Sequence, residues 1–242
     1  MQRHFKTSEE LCRYVADISP DAIVSFSCGK DSIGAWIQMR RYFRSVKPFY
    51  MYMVPGMSFI EDSLKMFEDK FGEPILRMPH PSIYRLLNNL VFQAPEKCLI
   101  IEEAKFRQPS HETINNEVRK HFGLPRAAMI GVGVRVCDSL MRRSSVRIHG
   151  SITPKQRTFL PIYDWNAEDL KRTFREEKIK LPVDYKMWGR SFDGIDERFL
   201  RGLRDNFPDD YKRVLEWFPL AELEILRMDI KRRIHGKAPT GR

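Results

Sequence analysis

The chain has 242 residues, 42% of them hydrophobic and 31% charged, with a formal net charge of +10 and a pI near 9.5. That length suffices for one large α/β domain with appendages, and no apolar run approaches membrane-spanning length, so no transmembrane helix and no membrane partner are expected. Four cysteines, at 12, 28, 98 and 137, form no C-x-x-C pair, which argues against a disulfide framework and against a zinc or iron–sulfur site.

In chain order the pattern alternates helix and strand. The N-terminus lacks an apolar signal region, and with the cysteine usage this points to the cytoplasm. Thr7-Ser8-Glu9-Glu10 reads as a capping box that opens a helix to about residue 18. Ala22 to Ser27 is the first strand, and Asp31 to about Arg44 the helix after it. Pro48 to Val54 suits a second strand, and Pro55-Gly56 is a turn signal before an amphipathic helix from Phe59 to Phe71. Glu73 to Met78 is a third strand, and 80–110 is expected to be irregular and to insert over the sheet edge. A helix from Glu112 to Phe122 precedes a buried strand over 127–134, and Phe159 to Ile162 forms a short final strand. Asn166, with Asp169 three residues on, caps the next helix. Alternation of this kind predicts a doubly wound parallel α/β sheet. Residues 1–180 are expected to form a nucleotide-binding α/β domain, and 181–242 a helical, basic C-terminal extension.

The segment Ser25-Phe26-Ser27-Cys28-Gly29-Lys30-Asp31-Ser32 joins the first strand to its helix. A strand, a small-residue loop and a helix N-terminus together converge backbone N–H groups and the positive helix end on one point, a natural anion site. Ser25, Ser27 and Ser32 add hydroxyls, and Lys30 a mobile charge. Phosphate is the expected guest. The loop is not of the Walker A type, because Val24 stands where the first glycine belongs and Asp31 separates Lys30 from Ser32. A second basic segment follows the 127–134 strand. Arg135 would emerge at that strand's carboxyl end, and Asp138 and Arg142 are spaced to pair on one helix face. From 135 to 157 there are six Lys/Arg, Arg135, Arg142, Arg143, Arg147, Lys155 and Arg157, against one acid, Asp138. The favoured reading is anion binding, with Arg135 and one of Arg142 or Arg143 as the better candidates. Two further basic clusters lie outside this pocket, Arg40, Arg41, Arg44 and Lys47, and Lys231, Arg232, Arg233 and Lys237; they make DNA or RNA a reasonable partner. The six histidines show no metal-ligand spacing, and no residue is assigned as a protein metal ligand.

The loop resembles that of the PP-loop ATP pyrophosphatases, and within them the PAPS reductase-like branch, whose loop commonly reads Ser-Phe-Ser-Gly-Gly-Lys-Asp-Ser. Seven of its eight positions match, and Cys28 replaces the first glycine. Met129 to Arg143 is similar to the branch's Gly-x-Arg, acidic-Ser, Arg signature, and Leu181 to Gly194 to its Leu-Pro-x-x-Tyr-x-x-Gly-Arg segment. The resemblance spans roughly residues 20–195. It implies an adenine nucleotide alpha hydrolase-like fold and an enzyme that binds ATP, or PAPS, with Mg2+. The Ser25–Ser32 loop, including Cys28 and Gly29, would hold the phosphates, with Lys30 as clamp and Asp31 steadying loop or metal. Arg135, Asp138, Arg142 and Arg143 would lie toward the other end of the pocket. The backbone near Met51 to Val54 would lie against adenine. The implied reaction is cleavage at the α-phosphate, adenylating an acceptor, with Lys30, Asp31 and Arg135 in the catalytic set.

Two departures shape the functional reading. Family reductases carry a C-terminal Glu-Cys-Gly-type cysteine, whereas residues 138–242 contain none. The strand-two turn, Met53-Val54-Pro55-Gly56, lacks the family's acid and hydroxyl. Two alternatives therefore stand beside adenylation: a reductase or sulfurtransferase using Cys28 or Cys137, and a nucleotide-sensing or nucleic-acid-binding module. A homo-oligomer or a protein partner is compatible with either. Cys28 reads first as a packing residue, and no iron–sulfur cluster is expected.

Overall fold

The computed structural model describes residues 4–189 and 194–234. Arg190, Ser191, Phe192 and Asp193 of the Leu-Pro-x-x-Tyr-like segment, and Lys237 of the last basic cluster, lie outside the described residues. The chain divides into two compact units: residues up to 51 with 64–78 and 109–182, and residues 52–63 and 79–108 with those from 183 onward.

The first unit carries a six-stranded sheet. Its strands are β1 (Asp21–Ser25), β2 (Ser45–Tyr52), β3 (Leu76–Pro79), β4 (Ile130–Val132), β5 (Ile152–Thr153) and β6 (Thr158–Phe159), in the order β3-β2-β1-β4-β6-β5. β1 lies parallel to both β2 and β4, with Ser25 opposite Phe49 on one side and Val132 on the other. That central place explains the unbroken run Ala22-Ile23-Val24, each residue wholly buried. β5 pairs antiparallel to β6 at the edge. The sheet is thus mixed and mostly parallel, and the doubly wound expectation holds.

The helices are α1 (Ser8–Ile18), α2 (Lys30–Arg40), α3 (Ser58–Phe71), α4 (Pro81–Asn88), α5 (Pro95–Ala104), α6 (His111–His121), α7 (Leu140–His149), α8 (Ala167–Glu176), α9 (Val183–Trp188), α10 (Glu197–Asn206), α11 (Pro208–Trp217) and α12 (Glu222–Ile234). Ile114 and Val118 of α6 pack with Ile23, Phe49 and Ile130 on one face of the sheet. α2 covers the other face. A Cβ on Gly131, the neighbour of Ile130 and so opposite in orientation, would collide with Met39 Sδ. Behind α2 lies α8: a Cβ on Gly34 would sit 2.6 Å from Leu170 Cδ2, so the absent side chain lets the two helices close. Phe26, Trp36, Phe67 and Phe71 fill the adjoining core, with the Trp36 and Phe71 ring centroids 4.4 Å apart.

Several boundaries differ from the sequence reading. The 80–110 stretch, expected to be irregular, folds as α4 and α5, because Pro81 and Pro95 stand at helix starts, where a missing N–H costs nothing. His80 Nδ1 accepts from Ser82 N at 3.0 Å and closes the first of these ends. The Thr7 capping box forms only by half. Thr7 Oγ1 accepts from Glu10 N, while Glu10 Oε2 accepts from Lys6 N instead of the cap's own N–H. The Asn166/Asp169 box forms in full.

In the second unit, Val54, Met57, Phe59 and Ile83 share a core with Trp188, Phe199, Leu200, Leu203, Val214 and Phe218. Asp210, at the start of α11, is 2% exposed, and its carboxylate accepts from Ser58 N at 2.7 Å, Ser58 Oγ at 2.8 Å and Phe59 N at 3.3 Å. It therefore caps α3 from far along the chain. Asp184 is also buried, yet it pairs with no cation among the described residues; burial pushes its carboxyl up from 3.8 to about 6, with the Tyr185 N–H offsetting part of the rise. The stability it contributes is complete below pH 3.8 and is lost as pH rises through about 6. Asp184→Asn keeps the Oδ1 acceptor and removes the charge. Relative to the parent, it is expected to gain on the order of 2 kcal/mol between pH 4 and pH 7 in urea melts; a constant difference across that range would show that the ionised carboxylate carries no penalty.

Candidate functional site

The site forms where strand order reverses. From β1 the chain passes through α2 to β2 and β3 on one side, then returns to β4 on the other. The loops leaving β1 and β4 thus diverge at their carboxyl ends, the usual place for a ligand in an open α/β sheet. Ser25 ends β1, and Phe26 N still bonds to Phe49 O at 2.8 Å. The chain then turns sharply through Cys28, which takes a left-handed φ of 58°. A β-carbon in that conformation costs roughly 1–2 kcal/mol. The position calls for glycine on backbone grounds, and the buried thiol occupies it under strain.

The loop is stapled from inside. Ser32 Oγ donates to Gly29 O at 2.8 Å and accepts from Ser27 N at 3.1 Å, with Ser27 Oγ 3.2 Å away. Gly29 N in turn bonds weakly to Ser27 Oγ at 3.4 Å. Ser32, read from sequence as a phosphate donor, thus commits its hydrogen to the loop. Gly29 is the N-cap of α2, and no side chain caps that end. Of α1, α2, α4, α5, α6, α7, α8, α10 and α11, α2 alone opens with neither a side-chain cap nor a proline. Among the described residues no side chain caps that positive end, which suits an anion.

The β4 loop closes against this end. A Cβ on Gly133 would stand 2.6 Å from Asp31 C, Asp31 O and Ser32 N, so only glycine lets the two loops touch. Two residues on, the Arg135 side chain is 5% exposed. Its Nε is 2.7 Å from Asp31 Oδ1, an ion pair without hydrogen-bond alignment, and its Nη2 donates to Asp138 Oδ1 at 2.7 Å. Arg142 Nη1 donates to the other oxygen of Asp138 at 2.9 Å, and Lys30 Nζ to Asp31 Oδ2 at 2.9 Å. The result is one chain, Lys30–Asp31–Arg135–Asp138–Arg142, with one positive charge in excess. Arg135 Nη1 is buried and makes no hydrogen bond among the described residues.

Most of the site residues read from sequence therefore come together: Ser25, Ser27, Cys28, Gly29, Lys30, Asp31 and Ser32 on one loop, Arg135, Asp138 and Arg142 on the other. Asp138 sits in the 3-10 turn Val136–Asp138, not in the following helix, and Ser139 caps α7 instead. Arg143 stands exposed beyond this chain of ion pairs. The sequence reading did not single out the close approach at Gly133 or the Ser32 staple; the Gly131-x-Gly133 spacing before Arg135 was the available signal. Among the cysteines, Cys12 is buried, donates to Pro161 O, and has its thiol pushed up by burial and then by Asp164 and Glu9. Cys137 is exposed, and its Sγ is 3.3 Å from Trp165 O.

Among the described residues no group of three His, Cys, Asp or Glu side chains could hold a metal. Both carboxylates at the loop are bound to cations. The magnesium implied by the family resemblance thus has no protein-built cage in these residues. The first basic cluster is likewise engaged. Arg44 pairs with Asp21, Lys47 with Glu73 at 2.8 Å, Arg41 with Glu177 at 3.7 Å, and Arg40 donates to Phe71 O while lying over the Phe71 ring. In the last cluster Arg232 grips Glu197 with both terminal nitrogens. No helix among the described residues is long and apolar enough to cross a membrane.

No protein-family model and no curated protein matches the chain. Among solved structures it is similar to an NH3-dependent NAD synthetase from Campylobacter jejuni subsp. jejuni NCTC 11168 in complex with the nitrate ion, with 14% identity over 97% of each chain and a TM-score of 0.45. It is also similar to a predicted subunit of tRNA methyltransferase from Methanocaldococcus jannaschii DSM, with 17% identity over 79% of this chain and 92% of that one, and a TM-score of 0.32. Likenesses this distant leave the functional argument to the site itself.

Two substitutions test the loop. Cys28→Gly is expected to be about 1 kcal/mol more stable than Cys28→Ala, the reverse of the usual order, because only glycine relieves the left-handed turn; thermal melts of the pair decide it. Gly133→Ala is expected to lower stability by about 1–3 kcal/mol by forcing the loops apart; a melt unchanged from the parent would mean that the loops do not meet as described.

Proposed function

We propose that this chain is a PAPS reductase-like PP-loop enzyme that binds ATP, or a related adenine nucleotide, and cleaves it at the α-phosphate. The observation that carries the reading is the open N-terminus of α2 at the strand-order reversal, with Lys30 beside it and the unbonded Nη1 of Arg135 next to it. A polyphosphate offers acceptors to the first-turn N–H groups of α2 and negative charge to the cations gathered around it. In this reading the loop holds the β- and γ-phosphates and Lys30 follows the departing charge. Arg135 acts mainly as a positioning residue, since two of its nitrogens are held by Asp31 and Asp138. Arg142, steadied by Asp138, supplies a further cation.

The chemistry balances simply. A nucleophilic atom of the acceptor attacks the α-phosphorus and gives up its proton to solvent water. The bond from that phosphorus to the bridging oxygen breaks, and pyrophosphate leaves with the electron pair. Fixed N–H groups and cations at the loop stabilise the charge that develops on it. No step passes through a protein-held metal.

The test is release of pyrophosphate and labelled AMP, or an AMP adduct, from α-labelled ATP with magnesium, alone and with DNA or RNA. Lys30→Ala, a half-exposed site where folding should survive, is expected to lower turnover about 100-fold or more. Arg135→Lys keeps a charge but cannot bridge two carboxylates, and is expected to lower it comparably. Nucleotide binding with no α-phosphate cleavage under any of these conditions would overturn the enzymatic reading.

A further inference from the structure

Three helices keep almost none of their side chains inside: α12, which buries only Ile225 and mixes acids and bases along its length, and α7 and α5, whose exposed faces each carry charge mainly of one sign. α7 has no buried residue, and Leu140, Met141 and Ile148 are 77%, 84% and 64% exposed. At about 100° per residue, Arg143, Arg147, Leu140, Ser144, Ile148 and Met141 share one outward arc, opposite the side on which Arg142 meets Asp138. The helix carries no acid. α5 buries only Ile101 and leaves Leu99 and Ile100 71% and 68% exposed. Glu96, Glu102 and Glu103 surround them on the same outward arc. None of Arg143, Arg147, Glu96, Glu102 and Glu103 makes an ion pair among the described residues, unlike most of the other basic clusters.

The chain therefore displays two helices of 10 residues each, both with an aliphatic stripe, one edged by arginine and the other by glutamate. Apolar patches rimmed by charge of one sign mark interaction surfaces, and complementary signs fix the choice of partner. We propose that α7 of one molecule docks on α5 of a second copy of this chain. Leu140, Met141 and Ile148 lie against Leu99 and Ile100, and Arg143 and Arg147 against Glu102 and Glu103. A nucleic acid would satisfy the arginines but leave the aliphatic stripe of α7 and all of α5 without a partner. Each copy offers one helix of each kind, so the contact joins unlike surfaces and can be repeated from copy to copy.

The experiment is sedimentation velocity on the full chain across protein concentration, at low and high salt. The parent is expected to self-associate, more weakly as salt rises. Arg143→Glu/Arg147→Glu and Glu102→Arg/Glu103→Arg, all at exposed positions, are each expected to weaken association about tenfold or more. An equimolar mixture of the two variants restores both contacts, and should re-associate as strongly as the parent. Circular dichroism melts check that each variant is folded. A parent that stays monomeric to about 100 μM at low salt overturns the proposal, as does an oligomer indifferent to both reversals or a mixture that fails to re-associate. Loss of oligonucleotide retention by the α7 variant, with a monomeric parent, would assign α7 to nucleic acid instead.

Discussion

The buried guanidinium of Arg135 is the interaction on which the rest of the site depends. It lies between Asp31 at the start of α2 and Asp138 after β4, and so ties together the two loops that diverge at the strand-order reversal. Taking a cation out of water is expensive, and only close carboxylates offset it. The dependence runs both ways. Without Arg135 the two carboxylates would meet a low-dielectric surface with reduced compensation, and breaking such a pair costs about 3–5 kcal/mol. The outer cations, Lys30 and Arg142, complete the neutralisation at the two ends of the chain of ion pairs.

That arrangement is reached by removing side chains as much as by adding them. Gly131 admits Met39, Gly34 admits Leu170, and Gly133 brings backbone to backbone at the mouth of the loop. Each omission lets an element approach until polar groups on its neighbour come within reach. Cys28 runs against this trend, because a side chain stands where the turn asks for none. Strain of this kind is commonly found where a loop is held ready for a ligand. Ser27 and Ser32 hold the turn in place around it.

Much of this was legible in the sequence because its signals are local. An apolar run before a small-residue loop gave β1 and α2 to within a few residues, and the spacing of Asp138 and Arg142 predicted their pairing. Strand order was not legible beyond its parallel character, and the β5–β6 hairpin has strands of only two residues, too short for any periodicity. The 80–110 stretch reads as irregular in the sequence, whereas Pro81 and Pro95 each stand in the first turn of a helix. The cluster Arg40, Arg41, Arg44 and Lys47 reads as free charge along the chain. Its partners, Asp21, Glu73, Glu177 and Phe71 O, come from other elements, and only the fold brings them near.

The cap that Asp210 places on α3 has a consequence for biosynthesis. The helix begins at Ser58, yet the carboxylate that satisfies its first N–H groups is translated about 150 residues later. The core around Phe59 waits equally for Trp188, Phe199 and Phe218. While the chain is still being made, the start of α3 has water as its only partner and an apolar face without its core. Emerging from the ribosome, this segment stays open to chaperones and to neighbouring nascent chains until most of the chain has followed it.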